Sequence, residues 1–344
     1  MTEIKNYKKC KQYSEQLANS IPFMSRLKGI CQSGISGYLK HLPNHSDSPT
    51  YSRFDHSVIV TSFTKYLMTY NSDIVYSDST LKLILFSSCI HDIQHPAFSH
   101  ATETYYPQLQ QNKRISILNQ PEMVQYIKNM KWNVDQFVPD GGSPLINILK
   151  APWPHINTDR LAYILNDTFT SDNEIIEILE SLRVNTDGLI YCTDINIAIK
   201  LFNKSVFLAT KWKSEDNIGE NQLFAQMLLI LFNDNLTGIS HKCLYKLSDS
   251  EIIGIIESLP KNDMVKIMWN YLKNGNIKFT YDFTESDDNS ILCVDESKLR
   301  LLDPLVKIDD QLKHLSDIDD NVKFEKEKCI LDYNKKMIVR CDLF

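Results

Sequence analysis

The segment running from Thr80 to Asp92 is apolar on most sides and ends in the pair His91-Asp92. A helix that is apolar all round must be buried among other helices, so this segment predicts a mainly α chain with a packed helical core. It also sets a problem at its end. An imidazole and a carboxylate carried into an apolar interior cost several kcal/mol unless something pairs with them. A divalent cation supplies such a partner. Adjacent helical residues project about 100° apart, so both reach one ion only near a helix end or crossing. His56 falls near the start of a preceding helix and Asp159 near the start of a later one. Two imidazoles and two carboxylates suit Mn, Fe, Co, Ni or Zn better than Ca. Four protein ligands leave positions on a six-coordinate ion for water and a phosphate oxygen. Taken singly, an HD dipeptide says little, and Asp159 would serve equally as a helix N-terminal charge. The joint occurrence with Arg53 and the run HPAFSH at 95–100 carries the metal reading.

The rest of the chain agrees with a helical core. Apolar spacing predicts a helix over 55–70, with Val58, Ile59, Phe63, Tyr66 and Leu67 on it. Ser79 is expected to cap the apolar helix, and Pro96 to end or bend the chain after it. Further helices are expected at 101–106, 145–150, 157–169, 172–182, 194–213, 219–234, 237–246, 249–259 and 262–273. After Gly275 the texture changes, and 278–283, 291–294 and 337–342 read as strands. The expected organisation is a helical core over 1–275 and a smaller α+β region over 276–344, packed on it.

The formal net charge of -6 provides no global basic field for nucleic acid, which leaves only a local basic cleft open. None of the eight cysteines forms a C-x-x-C pair, so no zinc-ribbon spacing is present and the thiols are expected to be reduced. No apolar leader and no membrane span are visible, and a cytoplasmic or nuclear address is the default expectation.

Five pieces, in order, resemble the HD superfamily of phosphohydrolases, and within it the dNTP triphosphohydrolase branch of dGTPase-like and SAM-plus-HD proteins. They are Arg26-Leu27 through Gln32-x-Gly34, RFDHS at 53–57, HDIQHPAFSH at 91–100, Asp159-Arg160-x-x-Tyr163-x-x-x-Asp167, and, more weakly, Ala198–Phe202 with LSDSEI at 247–252. The resemblance implies one metal held by His56, His91, Asp92 and Asp159, and water attack on the α-phosphorus with release of triphosphate. It implies that His95 is a catalytic or supporting histidine, that His100 contacts the phosphate chain and that Glu103 orients His100. Arg53 would grip phosphate, Gln32 and Tyr163 would lie by the sugar, and Asp167 closes the same motif on the substrate side. Mg travelling with the substrate phosphates, and assembly into a homo-oligomer, belong to the same expectation.

Those roles are physically coherent. A polyphosphate needs cations around it, here the ion, the Arg53 fork and a protonated His100. Metal-bound water has a lowered pKa, and a histidine–carboxylate couple can relay a proton to the leaving oxygen. Phe98 reads as a packing residue rather than a ligand contact. Three departures matter. The His-Glu pair that follows the HPAFSH block in the family is absent from 107–122, with His95, His100 or His155 as stand-ins. The arginine-rich stretch ending in Tyr-x-His is replaced by NKSVFLATKWKSE at 203–215, where Lys204, Lys211 and Lys213 are candidate phosphate contacts. The loop between Gln32 and Arg53 is long, and its His41 and His45 read as exposed. The first departure favours a binder without turnover, and the second favours hydrolysis of another nucleotide phosphoester.

Overall fold

In a computed structural model, which describes residues 2–41, 50–105, 108–137, 147–233, 244–283, 291–295, 299–335 and 337–341, the chain is mainly helical. The helices are α1 (Thr2–Ser20), α2 (Arg53–Tyr70), α3 (Asp78–Cys89), α4 (Ser99–Tyr105), α5 (Gln108–Leu118), α6 (Pro121–Asn129), α7 (Asn147–Lys150), α8 (Thr158–Asp167), α9 (Asp172–Glu180), α10 (Ile195–Trp212), α11 (Glu215–Asn233), α12 (Asp249–Ser258), α13 (Met264–Asn274) and α14 (Asp320–Tyr333). The strands are β1 (Leu182–Val184), β2 (Ile190–Cys192), β3 (Phe279–Asp282), β4 (Ile291–Asp295), β5 (Leu305–Ile308), β6 (Gln311–His314) and β7 (Met337–Cys341). Among the described residues no helix is long and apolar enough to cross a membrane.

Helix α2 lies at the centre, packed by α1, α3 and α8. Most of its side chains are therefore buried, polar ones included. The buried hydroxyls of Thr61, Ser62 and Thr64 donate back to carbonyls one turn earlier, which closes their hydrogen bonds inside the helix. Phe63 and Leu67 are fully buried, and each such side chain stabilises the fold by roughly 2 kcal/mol.

Two small sheets flank this core. The first has the order β1-β2-β5-β6, antiparallel except for the parallel pair β2 and β5. The second, β3-β7-β4, is antiparallel and packs on α11. The segment beyond residue 275 thus contributes strands to both sheets, and Leu301, Leu302, Val306 and Val322 join the hydrophobic cluster under α2.

Several expectations need correction. Ser77, not Ser79, caps α3, since its hydroxyl accepts from the Thr80 N–H at 3.2 Å. That helix ends at Cys89, so His91 and Asp92 stand in the turn beyond it. The helix expected over 172–182 stops at Glu180 and a hairpin follows, turned by Asp187-Gly188 with Gly188 at φ 77. The helix expected over 237–246 falls largely outside the described residues. Helix α1 was not expected: its buried stripe is Tyr7, Cys10, Ser14 and Ala18, correctly spaced but weakly apolar.

Candidate metal centre

The motif RFDHS is the first turn of α2. Ser52 is its N-cap and Asp55 closes a capping box, the Ser52 N–H donating to the Asp55 carboxylate at 3.0 Å. That turns Asp55 outward. Arg53 and His56, three residues apart, share the opposite, inward face. Asp159 is the second residue of α8, whose N-cap Asn157 accepts from the Arg160 N–H at 2.8 Å. The His91-Asp92 turn is held from two sides through its carbonyl oxygens. Arg26 Nη2 donates to Ile93 at 3.0 Å and to His95 at 2.7 Å, and Arg114 Nη1 donates to His91 at 3.1 Å.

Three separate pieces of chain therefore converge. His56, His91 and Asp159 each offer a ligand atom, and these atoms lie within 4.8 Å of one another. His56 Nε2 is 3.0 Å from Asp159 Oδ1, and His91 Nε2 is 3.7 Å from the same oxygen. Ligands about 2.1 Å from one ion and at right angles to each other stand about 3 Å apart, so these spacings suit a shared ion. The orientation of His91 points the same way. Its Nδ1 lies 2.7 Å from the Ser88 carbonyl, which can only accept. The proton is thereby fixed on Nδ1, and the Nε2 lone pair faces the cluster, buried and without a hydrogen-bond partner. This orphaned nitrogen, the neighbouring His56 and the Asp159 carboxylate fit a divalent transition ion. Asp92 stands beside them, 3.4 Å from His91 Nε2 and 4.0 Å from His56 Nε2.

Asp92 is also gripped from behind. Arg53 Nη1 donates to its Oδ2 at 2.6 Å, and His95 Nε2 lies 3.2 Å from its Oδ1. Burial alone would raise the Asp92 pKa, but His91, His95 and Arg53 hold it well below the usual carboxylate range. Asp159 is likewise lowered, with His56 and His91 overcoming its burial. Burial opposes the charged form of His91, yet Asp92 and Asp159 raise its pKa.

The other sequence-derived residues divide into those in the cluster and those elsewhere. Arg53 is buried, with Nε donating to Ser99 Oγ at 2.6 Å and Nη2 without a partner. Its visible task is to orient Asp92 while keeping one donor open. His95 sits between Asp92 and Glu103, whose carboxylate is 3.2 Å from His95 Nδ1. Glu103 thus serves His95, where the resemblance assigns it to His100. The side chain of His100, and His45, lie outside the described residues. Gln32 has a buried Oε1 without a partner, and its N–H donates to the Tyr51 carbonyl at 3.0 Å. Tyr51 in turn reaches His56 Nδ1 at 3.4 Å, which links Gln32 to the cluster. Tyr163 is 6 % exposed and packs edge-on against Trp212 under the Arg300 guanidinium. Asp167 ends α8 and accepts from its neighbour Asn166 at 3.0 Å, its pKa raised by burial.

Lys204 and Lys213, candidate phosphate contacts by sequence, are engaged elsewhere. Lys204 donates to the Thr168 and Thr170 hydroxyls, and Lys213 to the carbonyls of Tyr333 and Lys335. His155 stacks on His314 with ring centroids 5.1 Å apart. His41 is exposed as expected, but its Nε2 lies 2.9 Å from the buried Glu220 carboxylate.

Sequence reasoning missed the two residues that shape the turn from outside. One is Arg114, described above. The other is Asp249 of the LSDSEI piece, fully buried, which accepts from Cys31 N at 2.7 Å, Phe98 N at 2.8 Å and Tyr38 Oη at 3.2 Å. It joins the Gln32 loop to the HPAFSH loop. Burial pushes its pKa up to about 7. Phe98 and Ser99 beside it take the left-handed region, φ 53 and 25, which costs about 1 kcal/mol or more each and needs such an anchor. Phe98 is core, between Tyr38 and Phe224.

No family model matches the chain. It is similar to an uncharacterised protein, YdhJ, of Bacillus subtilis, 23 % identical over 320 residues that cover 90 % of this chain and 88 % of that one. Among solved structures it is similar to a hypothetical protein from Aquifex aeolicus, with a TM-score of 0.65, 13 % identity and coverage of 95 % of this chain and 91 % of that one. It is also similar to a phosphohydrolase from Bacteroides thetaiotaomicron, with a TM-score of 0.70, 14 % identity and coverage of 95 % and 94 %. Over nearly its whole length, the chain shares its fold with that solved phosphohydrolase.

Proposed function

We propose that this protein is a metal-dependent phosphohydrolase that splits a deoxynucleoside triphosphate into deoxynucleoside and triphosphate. One observation carries the reading: His56, His91 and Asp159 bring their ligand atoms within 4.8 Å of one another, beside Asp92. A divalent ion bound there would lower the pKa of water and polarise a phosphate oxygen. The chain's own residues supply the rest. Arg53 holds Asp92 and offers a free Nη2 toward an anion. His95, set between Asp92 and Glu103, can hold or pass a proton. In the reaction, water oxygen bonds to the α-phosphorus and the bond to the 5′-oxygen breaks. The water loses a proton and the 5′-oxygen gains one. Manganese, self-assembly into a homo-oligomer and a sugar-side place for Gln32, Tyr163 and Asp167 belong to the same reading. The fold shared with a solved phosphohydrolase supports it.

A second reading, hydrolysis of another nucleotide phosphoester, is favoured by the engagement of Lys204 and Lys213 away from the site. One experiment separates the two. The protein, loaded with Mn2+ or Co2+, is incubated with deoxynucleoside triphosphates, monophosphates and a cyclic dinucleotide, and products are resolved by anion exchange. Release of inorganic triphosphate is expected. Turnover of the other substrates alone replaces the first reading by the second, and no turnover by metal-saturated protein removes both.

A further inference from the structure

Helix α14 is held by one face and leaves the other bare. Val322 is buried, Cys329 packs against the core, and Lys326 Nζ donates to the buried Asp303 carboxylate at 2.7 Å. Lys213 donates to the carbonyls of Tyr333 and Lys335, which fixes the C-terminal end of the helix. The far face carries Phe324, 65 % exposed, and Leu331, 67 % exposed. They stand seven residues and so about two turns apart, and line one groove with Glu327 and Lys328 between them. Exposed apolar side chains scattered singly are ordinary, but two in line on one helix face form the pattern that a partner helix covers.

This face is complementary to its own reverse. Its midpoint lies between Glu327 and Lys328, which carry opposite charges. Counting outward from there, Phe324 matches Leu331, Lys323 matches Asp332, Asn321 matches Asn334 and Asp320 matches Lys335, and all of these residues are exposed. When two copies of a helix pair antiparallel about a twofold axis, residues equally far from the axis on either side stand level with each other. Apolar then meets apolar, amide meets amide, and every charge meets its opposite. A parallel pairing in register sets each charge against its own copy and is disfavoured. Within one chain Lys335 lies 2.7 Å from Asp332 and Lys328 lies 3.7 Å from Glu325. Such exposed pairs three residues apart are weak and can exchange partners.

We propose that α14 is a self-docking surface, on which two copies of this protein pair antiparallel about an axis between Glu327 and Lys328. The pairing rests on this face alone and not on the metal site or the reaction proposed above. A single helix pair falls near the small end of specific interfaces, roughly 1,200 Å² or less, so the dimer forms in the micromolar range.

The test is sedimentation equilibrium of the whole protein at low salt, at about 1 μM and about 200 μM, which bracket that range. Wild type should be monomeric at the lower concentration and dimeric at the higher. Phe324→Ser and Leu331→Ser should each weaken self-association at least about tenfold. Lys323→Asp and Asp332→Lys each set like charges level and should weaken it as well. Mixed in equal amounts, those two charge variants should pair with each other at wild-type strength, because both contacts then join opposite charges again. A wild type that stays monomeric at the higher concentration overturns the proposal. So does self-association that survives Phe324→Ser, which moves the contact to another surface, and so do charge variants that fail to rescue each other, which excludes this register. All four substitutions lie on the exposed face, and metal content and hydrolysis, measured on the same samples, should not change. A failure here therefore leaves the proposed reaction standing, and absence of hydrolysis leaves the dimer standing.

Discussion

Two of the clusters that the described residues bury around carboxylates are built on opposite plans. Asp303, fully buried, accepts from Ser316 N at 3.0 Å, Ser316 Oγ at 2.7 Å and Lys326 Nζ at 2.7 Å. Its N–H donates to the Pro154 carbonyl at 3.0 Å, and its carbonyl accepts from His314 at 3.0 Å. Every bond is closed inside the protein. At Asp92 and Asp159 the acceptors are satisfied, but His91 Nε2, Arg53 Nη2 and Arg114 Nε are buried with nothing to bind. A closed cluster holds a fold together. An open one, kept open by Arg26, Arg53 and Arg114 around a single turn, is arranged for something that arrives later.

The largest effect should come from His91→Ala. With a ligand gone, bound metal should disappear and kcat/KM should fall more than about 1000-fold, while the melting temperature without metal changes little. Metal analysis beside a thermal scan checks this, and full turnover with bound metal in the variant would break the assignment. Asp303→Ala should do the converse. Removing one partner of a buried ion pair costs about 3 kcal/mol, read from a urea titration, with metal content unchanged. Loss of metal there would show that the two clusters are not separable. Arg53→Ala should sharpen the contrast, because it leaves every ligand in place but frees Asp92. Metal affinity should fall about tenfold and substrate affinity further, since the open Nη2 donor is lost as well.

The smallest effect should be that of Asp249→Asn, about 1 kcal/mol at neutral pH, from exchanging one acceptor for a donor among three donors. Its pH dependence is the more telling part. The folded state holds the Asp249 proton up to about pH 7, against about 4 in the unfolded chain. The stability this carboxyl contributes is therefore full below about pH 4 and lost as the pH rises toward 7. The gap between wild type and Asp249→Asn should shrink across that window. A gap that widens would contradict the burial assigned to this group.

Much of this was legible in the residues themselves. His56, His91 and Asp159 were readable because each sits at a helix start or just past a helix end, where spacing and capping residues are strong signals. Arg53 was readable only through the resemblance, as a residue that grips phosphate, and its hydrogen bonds to Asp92 and Ser99 were not. The roles of Arg114 and Asp249 were not, because both act on backbone groups of a distant turn, and nothing local in NKRIS or LSDSEI marks a residue that binds a carbonyl or an amide elsewhere. Lys204 and Lys213 misled for the same reason: a lysine's charge is visible in sequence, but its partners Thr170 and Tyr333 are not. The turn at Asp187-Gly188 carried its signal openly, and the helix ahead of it was simply read as too long. Helix α1 was hidden by a buried face made of tyrosine, cysteine, serine and alanine.

The parallel pairing of β2 with β5 also bears on how the chain is made. On the side away from β1, Tyr191 pairs with Leu305, so during synthesis that edge of β2 emerges bare and stays so until more than a hundred residues have followed. For that interval the β1–β2 hairpin is a strand edge looking for a partner, and another nascent copy offers the same one. Production of this protein should therefore be limited by crowding of growing chains long before the finished molecule meets any threat to its stability.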